Sequence, residues 1–331
     1  MKVAAVLAAY VLLLAIVPGR YLARARWTAR APRWGIAAWL SLCVSTLVAA
    51  IGAGIALALP SMRLSASVSA LLRECVMALR SQYRTPGGAL SAAIGATVAL
   101  AVVLIALTFV GRELLVAGSA RRAHRQVLRW AGRRWDAPAC SGGRCERAIP
   151  LVVEHPSLVA YCLPGRGGRI VLSSAALAVL DPDELAAVLA HERAHLAGRH
   201  HLLLATSAGL ARAFGFLPLF ALAREQTAVL VEMLADDRAS HAGEPLTVAS
   251  ALLALAGPSE RLGVALVPAA ALGATETATG TRVRRLLASP APLSPAARAG
   301  AALASLLVLI TPVAVLIAPA LAMANTAYCP V

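Results

Sequence analysis

Lysine is almost missing from this chain: Lys2 stands alone, and the other 30 of its 31 basic residues are arginine. Acids are scarce too, so charged residues make up 14% of the chain against about 25% in soluble domains. That shortage excludes an ordinary water-soluble surface. Aromatics reach only 4%, which leaves Ala, Leu and Val to carry the burial. The six cysteines (Cys43, Cys75, Cys140, Cys145, Cys162 and Cys329) contain no CxxC pair and imply no disulfide framework. Free thiols in a reducing compartment are expected. A second zinc site or redox pair at Cys140 and Cys145 is the minor alternative.

Apolar residues are abundant instead, at 59% against roughly 45–50% in soluble domains, and the mean hydropathy of +0.74 agrees. The net charge of +15 and a pI near 11 would suit a nucleic-acid partner. The arginines, however, crowd beside long apolar runs, where the positive-inside rule expects them. No direct nucleic-acid binding is expected.

Four runs have the length of spanning helices: roughly Val3 to Val17, Trp34 to Leu59, Ala89 to Val110 and Ala299 to Met323. The first is short. Five arginines (Arg20, Arg24, Arg26, Arg30 and Arg33) follow it with no small-x-small cleavage site between, which suits a retained anchor better than an exported signal peptide. Those arginines and the seven between Arg112 and Arg134 both belong in the cytoplasm, and two spans separate them. The N- and C-termini then face outside. The outer segment Ser61 to Gly88 carries Leu64, Val68, Leu71, Leu72, Cys75 and Leu79 at helical spacing, so an amphipathic surface helix is expected there.

Nearly 190 residues lie between the third and fourth runs, and they hold all seven histidines and every acid except Glu74. Arg112 to Trp135 reads as a helix continuing the third span. Strands are expected at Pro150 to Glu154, Leu158 to Leu163 and Arg169 to Ser173, the last two joined by a Pro/Gly turn. A helix then opens with Asp181 as N-cap, Pro182 at its first position and Glu184 three residues after the cap.

That helix carries His191-Glu192-Arg193-Ala194-His195, an HExxH motif. Residues four apart lie about 40° apart around a helix, so both imidazoles can reach one zinc ion. Glu192 then stands where it can take a proton from water and hand it to a leaving amine. The bland alternative is a surface helix with two solvated histidines. A third ligand is expected at Glu232, with Asp236 on the same face to hold a ligating histidine and Asp237 as the alternative for that role. Glu225 is a weaker ligand candidate, because nothing acidic follows it three or four residues on. If Glu232 is to meet the histidines, the apolar stretch Leu202 to Ala223 cannot cross the bilayer. Two helices bent near Phe214 to Pro218 are expected, packed against or partly into the inner leaflet. His200 falls about 180° from His191 on a continuous helix, which excludes it from the site, as an interfacial cap. Arg282, Arg284 and Arg285 are expected to meet lipid headgroups.

The run Asp181-Pro182-Asp183-Glu184-Leu185, the HExxH motif, Glu232 with Asp236-Asp237, and three spans before the site with one after it resemble the BlaR/MecR family of membrane metallopeptidases. The resemblance covers about residues 90 to 325. It implies a gluzincin-like domain facing the cytosol, His191, His195 and Glu232 as ligands of one Zn2+, Glu192 as catalytic base, and a transcriptional repressor as substrate. Receptors of that family carry an extracellular penicillin-binding domain after the last span, whereas this chain stops about eight residues beyond it.

The expected fold is a mainly α integral membrane protein of the plasma membrane with four transmembrane helices. A cytoplasmic α+β zinc metallopeptidase domain lies between the third and fourth. The division expected is 1–111 for the three-span region, 112–297 for the peptidase domain, and 298–331 for the last span and tail. The lipid bilayer and a cytoplasmic protein substrate are the partners. Two other readings compete: a quality-control membrane protease resembling HtpX, and an inert receptor or scaffold that keeps the fold.

Overall fold

The computed structural model describes residues 2–59, 73, 76–78, 80–135, 150–165, 167–256, 276–289 and 291–326. Its N-terminal region contains α1 (Lys2–Ile16), α2 (Pro18–Arg24), α3 (Arg26–Arg30), α4 (Pro32–Ala58) and the 46-residue α5 (Pro86–Ala131). Proline opens α2, α4 and α5 at the first helical turn, where its missing N–H costs nothing. Among the described residues, four helices are long and apolar enough to cross a membrane: Lys2–Arg24, Pro32–Ala58, Pro86–Ala131 and Pro295–Pro319. The short first run therefore gains its length from α2, which continues α1 after Val17. The last of the four belongs to α12 (Pro295–Thr326). Most of the outer segment expected as an amphipathic helix, and Cys140 with Cys145, lie outside the described residues.

Helices α4 and α5 pack through glycine. A Cβ on Gly54 would sit 2.6 Å from the Gly95 carbonyl oxygen, so the two backbones touch where any side chain would part them. Tyr10 and Ser45 both donate to the Val308 carbonyl, at 3.1 and 2.6 Å, and tie α1 and α4 to α12.

The intervening segment opens differently from the sequence expectation. The helix does not run to Trp135: it ends at Ala131, and Gly132–Arg134 becomes strand β1 by pairing antiparallel with β2 (Leu151–Val153). The basic, unalternating Gly-Arg-Arg carries no strand signal of its own, so its partner decides the outcome. Strand β2 runs parallel to β4 (Arg169–Ser173), and β3 (Ala160–Leu163) runs antiparallel to β4, giving the order β1-β2-β4-β3. Strand β3 thus has a free edge among the described residues.

After the sheet come α6 (Ser174–Val179), α7 (Pro182–Ala197), α8 (His200–Phe214), α9 (Pro218–Ala242), α10 (Pro245–Leu255) and α11 (Glu276–Ala288). The cap at Asp181 forms as a full capping box: Asp181 accepts from the Glu184 N–H at 2.8 Å, and Glu184 accepts from the Asp181 N–H at 3.2 Å. Ile170, Leu172, Val188, Leu189 and Ala251 form one core between the sheet, α7 and α10. A second core binds the hairpin of α8 and α9 to the apolar helices, with Phe214, Leu219 and Phe220 against Leu14, Trp39 and Leu42. The bend expected near Phe214 to Pro218 separates these two helices; Phe214, Leu219 and Phe220 beside it are buried against candidate spans, while Phe216 at its tip is exposed.

Candidate metal centre

Two helices build the site. On α7, His191 and His195 are one turn apart and point their Nε2 atoms at each other across 3.1 Å. On α9, which packs against α7, Glu232 faces them: its Oε2 lies 3.5 Å from His191 Nε2, and its Oε1 lies 3.5 Å from His195 Nε2. One ligand atom from each of the three residues falls within 4.8 Å of the others. Two zinc–ligand bonds of about 2.0–2.1 Å at a tetrahedral angle need donor atoms roughly 3.3 Å apart. The observed 3.1–3.5 Å separations fit such an ion.

Glu192 is buried beside this triangle. Its carboxyl is pushed up by burial, which outweighs the charge of His191. The sheet comes close here, and the Cys162 thiol of β3 interacts with the carboxylate. Burial and the Glu192 charge raise that thiol, so it stays protonated.

Asp236 lies one turn beyond Glu232 and is fully buried. Its Oδ1 is 3.1 Å from His191 Nδ1, close enough for an ion pair, though the two are poorly aligned for a hydrogen bond. Arg282 of α11 holds Asp236 in a two-pronged grip, Nε to Oδ2 at 2.8 Å and Nη2 to Oδ1 at 2.6 Å. Its Nη1 also reaches Glu232 Oε2 at 3.2 Å. Asp237 does not approach the histidines; it pairs with Arg285 at 2.6 Å. Between the two acids weighed for supporting a histidine, only Asp236 is in reach. Glu225 is not among the residues that converge here.

These contacts set the protonation pattern. Burial alone would lower His191, but its contacts to Asp236 and Glu232 raise it to about 9. Burial outweighs the pull of Glu232 and lowers His195 to about 4. Glu232 resists burial through His191, His195 and Arg282 and falls to about 2. Asp236 is likewise held well below the usual carboxylate range, with burial opposing and Arg282 prevailing. A cluster of one ionised carboxylate and two inward-facing imidazoles has the donor set of a divalent-metal site.

The structure corrects two sequence expectations. Arg282 and Arg285 do not meet lipid headgroups. Arg282 is buried on Asp236 and Glu232, and Arg285 donates to Asp237 and to the Ala29 carbonyl of α3 at 2.6 Å. Arg284 is the exposed member of the three, bonded within its own helix. Nor does His200 stay away, for its Nδ1 lies 3.0 Å from His195 Nδ1. The angular argument assumed one continuous helix, but the chain turns at Gly198 and at Arg199, whose φ is 48°. Glycine is needed at 198 because a Cβ there would overlap the His200 ring.

Sequence reasoning missed Arg282, Cys162 and His200. For Arg282 a signal existed: Arg282 and Arg285, three apart, alternate with apolar Val283 and Leu286, so the arginines share a face complementary to Glu232, Asp236 and Asp237. Cys162 had none beyond its place in a strand preceding the motif.

Residues 119–259, which contain all of α7, α8 and α9, match the family model of peptidase family M48. The match supports a metallopeptidase, and the four long apolar helices support its association with a membrane. No curated protein and no solved structure matches the chain.

Proposed function

We propose that this chain is a zinc metalloendopeptidase of the plasma membrane whose site faces the cytoplasm and cuts a cytoplasmic protein, a transcriptional repressor being the class implied by its resemblance to BlaR/MecR proteins. The observation that carries the reading is the convergence of His191, His195 and Glu232 with Glu192 alongside. The cytoplasmic placement rests on the arginines flanking the first and third spans.

Zinc held by His191, His195 and Glu232 would supply Lewis-acid polarisation of the scissile carbonyl and activation of water. The remaining work belongs to the chain. Strand β3 offers its free edge to an extended peptide, whose backbone then hydrogen-bonds as an added strand beside α7. Glu192, with its raised affinity for protons, accepts one from water and gives it to the leaving nitrogen. Cys162 on β3 borders that carboxylate, which sets the substrate strand beside the base. Asp236 and Arg282 fix His191 and Glu232 from behind.

A second reading, a quality-control protease resembling HtpX that clears damaged membrane proteins, is favoured by the same HExxH motif with Glu232 and Asp236 four residues on. Comparing the proteins cut in cells carrying wild type or Glu192→Ala tests both. One repressor spared by the variant supports signalling, many spared membrane proteins support clearance, and identical patterns overturn the peptidase reading.

A further inference from the structure

At the inner end of α5, three arginines crowd one side of the helix. Arg121 and Arg125 are four residues apart and Arg122 is three before Arg125, so their guanidinium groups are neighbours. Gly118, one turn earlier, contributes no side chain. The result is a cavity of about 180 Å³ between this side of α5, the Pro164–Gly165 turn after β3, and His201 at the start of α8. Gly165 has φ 137°, and a Cβ on it would collide with the Arg125 guanidinium, so only glycine lets the turn close over that arginine.

The cavity has a surplus of positive charge and of unused donors. Among the described residues, no carboxylate pairs with Arg121, Arg122 or Arg125. Arg125 donates to the Leu163 carbonyl at 3.3 Å, yet its Nε is buried without a partner, and so is His201 Nδ1. Buried polar atoms are seldom left so unless something absent from the protein alone satisfies them. Burial and then the charges of Arg125 and Arg122 lower the Arg121 guanidinium, and burial and Arg121 lower His201. An anion in the cavity would relieve this crowding.

We propose that this cavity binds a phosphoryl oxyanion, gripped by Arg121, Arg122 and Arg125 with His201 closing the far side. Forked guanidinium groups match the oxygens of a tetrahedral phosphoryl group, and three of them exceed what one carboxylate would neutralise. The group can come from a phospholipid headgroup or from a soluble phosphate. Leu115, exposed three residues before Gly118 and seven before Arg122, lies on the same side of the helix, which puts apolar surface next to the opening. The site is independent of the peptidase reading, and its test does not use proteolysis.

The full chain in neutral detergent is titrated with inorganic phosphate, with chloride at equal ionic strength as reference, and thermal unfolding is followed. In a second arm it is placed in phosphatidylcholine nanodiscs with or without phosphatidate. A bound ligand raises the unfolding temperature saturably. A rise with inorganic phosphate assigns a soluble phosphate; a rise with phosphatidate alone assigns a headgroup. Arg121→Gln with Arg125→Gln weakens the effect about tenfold or more. Gly118→Leu fills the cavity while keeping every charge and also removes the effect; only Arg121 Nη2, at 3.9 Å, lies near the position of its Cβ. This second variant decides the matter if the double variant does not fold cooperatively. No rise in either arm, or an equal rise in Gly118→Leu, overturns the proposal.

Discussion

At the scale of single residues, the site combines groups whose charges depend on one another. Arg282 offers the clearest case, since it is buried on α11 with Asp236 on two of its nitrogens and Glu232 on the third. Removing it as Arg282→Ala leaves Asp236 as an uncompensated buried charge, which is expected to destabilise the fold by about 3–5 kcal/mol in thermal unfolding. Arg282→Ala with Asp236→Asn should recover part of that loss; no recovery would mean the pair does not act as a unit. The pH dependence of metal binding follows from the same contacts. His191 is raised to about 9, so across neutral pH zinc has to displace its proton, whereas His195 at about 4 and Glu232 at about 2 are already deprotonated there. Apparent zinc affinity should therefore rise about tenfold per pH unit between roughly pH 6 and 8 and level off near His191's own value. Competition with a chelating dye at several pH values measures this, and a flat profile would contradict it. The HExxH motif and Glu232 were legible because their spacing carries the chemistry. Arg282 was legible only as one of two arginines sharing a helix face; that they meet the acids of α9 was not, since Asp236 and Glu232 lie 46 and 50 residues away and only folding brings them together.

Elements show a similar division between local and distant causes. The start of α7 could be read directly, because Asp181, Pro182 and Glu184 are a complete local instruction. The bend between α8 and α9 was readable from Gly215 and Pro218 once Glu232 was required to return to the histidines. Strand β1 was not readable, for Gly132–Arg134 follows a basic helix and takes its conformation from β2. The position of His200 depended on a left-handed Arg199 that no composition rule marks. Among the apolar helices, close packing rests on small residues: a Cβ on Gly95 would strike the Gly54 carbonyl oxygen and come 2.7 Å from the Ala58 nitrogen. Gly95→Leu should force α4 and α5 apart and lower the unfolding temperature in detergent, while Gly87→Leu, with open space around it, should not. Equal effects at both positions would remove the packing argument.

For the whole molecule, the position of the site follows from the hairpin of α8 and α9. The residues beside its bend share a core with Leu14, Trp39 and Leu42, and its base carries His200 at one end and Glu232 with Asp236 at the other. Arg285 adds a second link, joining α3 beside the first apolar helices to the acids of α9 through Ala29 and Asp237. The three residues of the candidate metal centre are thus braced against the helices that are apolar enough to span a membrane. The number of such helices was legible from apolar run length once Leu202 to Ala223 was set aside by the need for Glu232 to meet the histidines; the bracing was not, because only tertiary packing decides which helices the hairpin rests on. The central claim is that two imidazoles and one carboxylate hold a single zinc ion. Elemental analysis of the purified full chain tests it most directly: about one zinc per wild-type chain, the same in Glu192→Ala, and little in Glu232→Ala are the expected results, whereas a metal-free wild type or full zinc retention in Glu232→Ala would contradict it.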